Sequence, residues 1–253
     1  MSDFRNGFSS VAPAAADMSV DVGLRSFMLG VYNKVALGLL VSAALAWVTG
    51  SYEPVRSLLY ITQVFPDGVS RLTGFTILGY VVAFAPLVVL LGSNFVMKNP
   101  TAATAGAMYW LIVALIGASM GTVVLLYTGA SVIQTFLITA AAFGALSLFG
   151  YTTKKDLSGI GSFLIMGVIG LIIASVVNMF LQNSMMQLII SAVGVLIFAG
   201  LTAYDTQRLK MTYYQLGGNQ NAMGVATSYG ALSLYINFIN MFQFMLALFG
   251  GRR

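Results

Sequence analysis

Polar side chains are nearly absent from seven stretches of this chain, and each stretch is long enough to cross a bilayer. They lie close to residues 28–50, 72–95, 102–127, 131–150, 161–181, 186–209 and 226–249. As helices rising about 1.5 Å per residue, segments of roughly 20 residues span about 30 Å of hydrocarbon. Outer-membrane strands would instead alternate in polarity over about ten residues, and no such alternation is present. The pattern predicts an all-α polytopic membrane protein, a seven-transmembrane-helix bundle over residues 28–253. Residues 1–27 are polar and rich in small side chains, and read as a flexible N-terminal tail. A cleavable signal would need a basic start followed directly by an apolar stretch. Links such as YTGAS and YTTKKDLSG are short, so neighbouring spans should pack antiparallel. The longer KMTYYQLGGNQNAMG carries glycines and amides and is predicted to be mobile.

Composition narrows the class further. Of 253 residues, 58% are hydrophobic and only 8% charged, whereas a soluble domain has about a quarter of its residues charged. Mean hydropathy is +0.90. The chain has no cysteine and no histidine, which removes disulfides, thiol nucleophiles, thiolate metal sites and imidazole bases. The net charge of +5 does not point to nucleic acid, because the basic residues stand singly or in pairs between apolar runs. They read as topology signals beside anionic lipid.

With seven spans, Arg5, Arg25, Lys34, Lys98, Lys154, Lys155, Arg208 and Lys210 collect on one side, and Arg56, Arg71, Arg252 and Arg253 on the other. This excess favours a cytoplasmic N-terminus. A last segment that dipped in and returned would widen the excess, so that topology also stays open. Pro86, inside the second span, should kink it. Small residues in GASMG, TAAAFGALS and GVIGLIIAS should let helix backbones approach closely. GALSLF recurs as GALSLY, which reads as chance or shared packing.

Acids are scarce, and their positions are informative. Asp3, Asp17 and Asp21 are in the tail, Glu53 and Asp67 in the first link, and Asp156 stands beside two lysines. Asp205 alone falls within a span, in GLTAYDTQRLK at residues 200–210. A charge at the centre of a membrane helix costs about 2.5–3.5 kcal/mol on insertion scales, so such acids face a cavity, a partner or a proton path. If the span ends near Leu209, the negative end of the helix dipole opposes the charge as well. Arg208, three residues on, offers a local ion pair instead. Position alone does not choose between these readings.

The last span supplies a candidate partner. In LYINFINMF, Asn237 and Asn240 lie one turn apart on one face. Amides in an apolar helix need hydrogen bonds, so both should point into the bundle. The sixth and seventh helices are sequential and antiparallel, which brings Asn237 near the depth of Asp205. Interhelical hydrogen bonding with no further role is the plainer reading of the same pair.

Three stretches now carry a resemblance: AYDTQRLK, SVIQTFLITAAAFGALSLFGYTTKKDLS and ALSLYINFINMF. They are similar to the bacterial branch of the transmembrane Bax inhibitor motif family, and the likeness runs from about Phe27 to Arg253. The resemblance implies a bundle with its last helix at the centre and six around it. Members are linked to a pH-sensitive calcium leak and to suppression of stress or cell death. Others in bacteria are associated with restraint of a membrane-bound, ATP-dependent protease. In the leak-competent pattern, the aspartate of a DTQ motif faces a second aspartate in the final helix, and the pair holds the cytoplasmic end of the pore. Asp205 matches the first. The second falls at Asn237, where this chain departs from the pattern. Two carboxylates in contact would compete for one proton. An amide facing a carboxylate lacks that repulsion and can donate to it, which predicts a single, shallower pH transition. Any calcium site at Asp205 also loses an anionic ligand.

Two functions stand as expectations. One is a pH-sensitive cation leak of the bacterial inner membrane, with calcium as permeant ion and no resident cofactor. It would be gated at Asp205 and Asn237, with Arg208 and Asn240 in support. The alternative is a non-transporting regulator that binds a membrane protease or another membrane complex through the basic links and the tail. Enzymatic chemistry fits poorly. An intramembrane aspartyl protease needs two membrane aspartates, and a retinal protein needs a lysine in its last span. A secondary transporter more often shows repeated halves and interrupted helices.

Overall fold

The computed structural model describes residues 21–65, 70–96 and 99–252. Most of the expected tail therefore lies outside the described residues. Among those described, the order is α1 (Val22–Ser51), α2 (Glu53–Leu59), β1 (Tyr60–Val64), β2 (Ser70–Phe75), α3 (Ile77–Val96), α4 (Ala102–Ser119), α5 (Gly121–Leu126), α6 (Gly129–Thr152), α7 (Ser158–Leu181), α8 (Ser184–Gln215) and α9 (Gln220–Phe249). Six helical stretches are long and apolar enough to cross a membrane, with α4 and α5 together forming one, and α3 adds a shorter apolar helix. The fold is all-α and polytopic, as the apolar runs predict, with about seven spans.

Local chemistry sets where the helices start. Asp21 accepts from the Leu24 amide at 3.0 Å, so α1 begins at Val22, before the expected position 28. Thr101 and Thr104 form a reciprocal capping box on α4. Thr128, Asn183 and Asn219 cap α6, α8 and α9, each side chain accepting from the amide of the third helical residue. Each cap satisfies an amide that the first helical turn leaves without a partner.

Three expected boundaries are corrected. Residues 72–75 do not open the second span: they lie in β2, which pairs antiparallel with β1, and the span starts at Ile77. The third span is broken at Met120, which separates α4 from α5. The stretch KMTYYQLGGNQNAMG is not one long link, because α8 continues into it to Gln215 and α9 starts at Gln220. Gly217 and Gly218, both at positive φ, make the tight turn between them, a backbone shape that glycine adopts without steric cost. Pro86 lies within α3 as expected.

Of the small-residue segments, GASMG brings backbones together, whereas a Cβ on Gly144 or Gly170 in the other two would meet nothing within 4 Å; Gly150, outside all three, makes a second close approach. A Cβ on Gly117 would stand 2.6 Å from the Cα of Ser42, and one on Gly150 would stand 2.2 Å from the carbonyl oxygen of Ala203. At these crossings α1 meets α4, and α6 meets α8.

α9 is the centre of the bundle. It packs against α1, α4, α6 and α8, and half of its apolar window is buried, the largest share of any span. Leu234, Tyr235, Phe238 and Met241 on this helix are almost wholly enclosed. The outer helices turn apolar side chains outward, with Ile169, Ile172 and Phe180 on α7 and Leu188 and Leu196 on α8 exposed. That surface is suited to lipid tails and unsuited to water.

Contacts at the two ends settle the course of α9. At its start, Asn221 accepts from the Ala102 amide at the head of α4. Past its end, the Gly251 carbonyl accepts from the Thr128 amide, the Gly251 amide donates to Ser131, and Arg252 bridges to Tyr127. Those partners stand where α5 gives way to α6. The last helix runs the full depth of the bundle, so the re-entrant alternative is excluded.

Candidate functional site

Three consecutive side chains of α8 reach three different neighbours. Asp205 is directed at α9: its Oδ2 accepts from Ser233 Oγ at 2.6 Å and from Asn237 Nδ2 at 2.7 Å. Thr206 turns towards α1, sharing a 3.4 Å contact with the Tyr32 hydroxyl while donating to its own helix at Thr202. Gln207 clamps the link before α7, accepting from the Leu157 amide at 2.8 Å and donating to the Lys155 carbonyl at 2.7 Å. The DTQ stretch thus fastens α8 to three neighbours at once.

Asp205 is 6% exposed and Asn237 is 4% exposed. A carboxylate so enclosed needs hydrogen bonds to remain charged, and both of its close donors come from the central helix. Each hydrogen bond to a charged group is worth about 1.5–3 kcal/mol. Arg208, by contrast, holds Nη1 3.9 Å from Oδ1 with 60% of its side chain exposed. It is a peripheral ion pair, and the local-pair reading does not account for the site. α8 also continues to Gln215, which leaves Asp205 well inside the helix. The dipole effect fades beyond the last turn, so the penalty expected from the helix end does not apply.

Asn240 does not join the cluster. Its Nδ2 donates to the Ile236 carbonyl one turn back on its own helix. Ser233 takes the place that Asn240 was expected to fill. It precedes Asn237 by four residues, and that spacing on one helix face is the signal that could have found it.

A second set of polar groups lines the other side of α9. Lys34 donates to Ser228 at 2.7 Å, and Ser42 lies 2.6 Å from the Tyr235 hydroxyl while donating to the Val113 carbonyl. The Tyr109 hydroxyl donates to the Lys34 carbonyl at 2.6 Å. Nearer the Asp205 end, Lys210 is 3% exposed and donates to the Tyr151 carbonyl at 2.7 Å, its ammonium over the Tyr151 ring. Sequence reasoning had used both lysines only as topology markers. Among the described residues, no group of three or more carboxylates, histidines or cysteines gathers anywhere. Asp205 is the one buried carboxylate among the described residues.

This arrangement coincides with a known sequence family. The family described as "Inhibitor of apoptosis-promoting Bax1" matches residues 24–253. The chain belongs to this family. Relatives include a protein of Caulobacter vibrioides, 63% identical over 254 residues and covering 100% of both chains. A Rickettsia prowazekii protein is 38% identical over 244 residues, covering 96% of this chain and 97% of its own. "Inner membrane protein YbhL" of Escherichia coli is 37% identical over 232 residues, covering 91% and 94%. Membership of the Bax1 inhibitor family agrees with the resemblance carried by the AYDTQRLK and ALSLYINFINMF stretches. The DTQ side chains that fasten α8, and the α9 residues that receive Asp205, both fall inside the matched region. With its apolar exterior, the chain is an integral membrane protein.

Proposed function

We propose that this protein is a pH-sensitive cation leak of the bacterial inner membrane, with its N-terminus cytoplasmic and calcium among the ions it passes. The observation that carries the reading is the clasp between α8 and α9, in which one buried carboxylate oxygen accepts from both Ser233 and Asn237. While Asp205 is ionised, these bonds are charge-assisted and about twice as strong as neutral ones. Protonation discharges the clasp and frees α8 to separate from the central helix. Flux should therefore rise as the pH falls. The facing amide, in place of a second acid, makes this a one-proton transition without the steepness of a coupled pair. A passing cation would meet Asp205 as its one anionic ligand, which favours permeation over tight binding.

The test is calcium and monovalent cation flux in proteoliposomes across pH, comparing wild type with Asp205→Asn and Asn237→Asp. Asp205→Asn should remove the pH response, and Asn237→Asp should steepen it. Identical flux in wild type and Asp205→Asn at every pH would end the gating role. Absence of flux from all three proteins, with a membrane protease recovered on the purified chain, would favour the regulatory alternative.

A further inference from the structure

α1 and α6 both pack on α8 and α9 and leave a groove between their own flanks. It encloses about 520 Å³, within the roughly 300–1,000 Å³ typical of small-molecule sites. Its walls are apolar for most of their length, with Met28 and Leu29 on α1 and Phe143 and Leu148 on α6. Gly144 widens it, since a Cβ there would meet nothing within 4 Å.

Four residues with polar groups, Arg25, Tyr32, Ser147 and Tyr151, interrupt this apolar lining. Arg25 lines the groove from the first turn of α1 and is exposed, with no ion pair among the described residues. Ser147 is 5% exposed, and its hydroxyl has no hydrogen-bond partner among the described residues. A buried hydroxyl left unsatisfied is unfavourable, and Ser147 is one of the residues that line the groove. An exposed cation at the helix end, a free donor and an apolar trough suit an amphipathic anion: a phosphate, an ester carbonyl and a hydrocarbon chain. All three occur together in a phospholipid, and the groove opens where lipid lies.

We propose that the α1–α6 groove binds an anionic phospholipid, its phosphate at Arg25, an ester carbonyl at Ser147 and an acyl chain between Met28 and Phe143. The site stands whether or not the bundle conducts. It also borders the DTQ stretch, because Tyr32 lines the groove and contacts Thr206.

The test is native mass spectrometry of the full chain in detergent, supplied with phosphatidylglycerol or with phosphatidylcholine of the same acyl chains. The wild type should retain phosphatidylglycerol preferentially. Arg25→Gln should weaken its binding about fivefold, the effect of one basic residue at an anionic lipid surface, and abolish the preference. Gly144→Leu should reduce binding of both lipids by filling the trough, and Leu148→Trp serves the same purpose should the first variant fail to fold. Gly170→Leu, at another open glycine on α7, should change nothing. Equal retention of the two lipids by the wild type, or unchanged retention in Arg25→Gln and the groove-filling variants, would overturn the proposal. So would inorganic phosphate displacing phosphatidylglycerol completely, which would mark a site for the free anion.

Discussion

Gly150 lies where α6 crosses α8, against Ala203, which precedes Asp205 by two residues. Replacing it by alanine would place a methyl group 2.2 Å from the Ala203 carbonyl oxygen and 2.9 Å from the Ala203 Cα. Those atoms are backbone, so no rotamer change relieves the clash. The helices must move apart until the contact reaches at least 3.4 Å, the lower bound of ordinary contact. Overpacking of this kind costs about 1–3 kcal/mol, and at 2–4 °C per kcal/mol for a chain of this size the melting temperature should fall on the order of 5 °C. Gly144→Ala provides the control on the same helix: with open space around it, the gain in helix propensity, about 0.5–1 kcal/mol, should leave the melting temperature equal or slightly raised. Thermal unfolding of the detergent-solubilised protein, followed by intrinsic fluorescence, reads both. Equal melting temperatures for the two variants would refute the close approach of α6 to α8.

Further expectations attach to the site and its borders. Ser233→Ala removes the shorter donor to Asp205 and should cost about 1.5–3 kcal/mol, read as a lower melting temperature at neutral pH and a smaller loss in acid. Arg208→Gln should change stability by less than about 1 kcal/mol, because the pair is long and exposed; a larger loss by the same assay would restore it to the clasp. Asp156, in the link before α7, is held below the usual carboxylate range by the side chain and then the backbone amide of Ser158. A depressed group contributes stability above its unfolded value, about 3.9, and loses it as the pH falls through the folded one. Ser158→Ala should therefore raise the Asp156 titration midpoint, measured by NMR on a selectively labelled chain.

The architecture was legible because hydrophobicity in this chain is nearly binary. The fourth and fifth spans were located within three residues, whereas the end of the sixth, at Gln215, and the start of the seventh, at Gln220, were each missed by six. The second span was misplaced because LTGF in β2 is as apolar as a span entrance, and strand pairing with residues 60–64 cannot be read from a hydropathy run. The reach of α8 to Gln215 was hidden by polar residues that continue a helix once it leaves lipid. At the site, Asp205 and Asn237 could be paired by depth along antiparallel helices. Ser233 was overlooked since a serine in GALSLY reads as a small packing residue until the four-residue spacing to Asn237 is noticed. Asn240 was misjudged because nearness to Asn237 on the helix says nothing about which acceptor its amide finds, and the Ile236 carbonyl was nearer.

The central position of α9 has a consequence for how the protein is made. It follows in sequence every helix it supports, so translation delivers the hub after the spokes. Until it arrives, Asp205 sits in the bilayer without Ser233 or Asn237, and the nascent helices have only one another. A ribosome that stops before codon 220 would release not a slightly shortened protein but a ring with no axle, the kind of product that quality-control proteases should clear first.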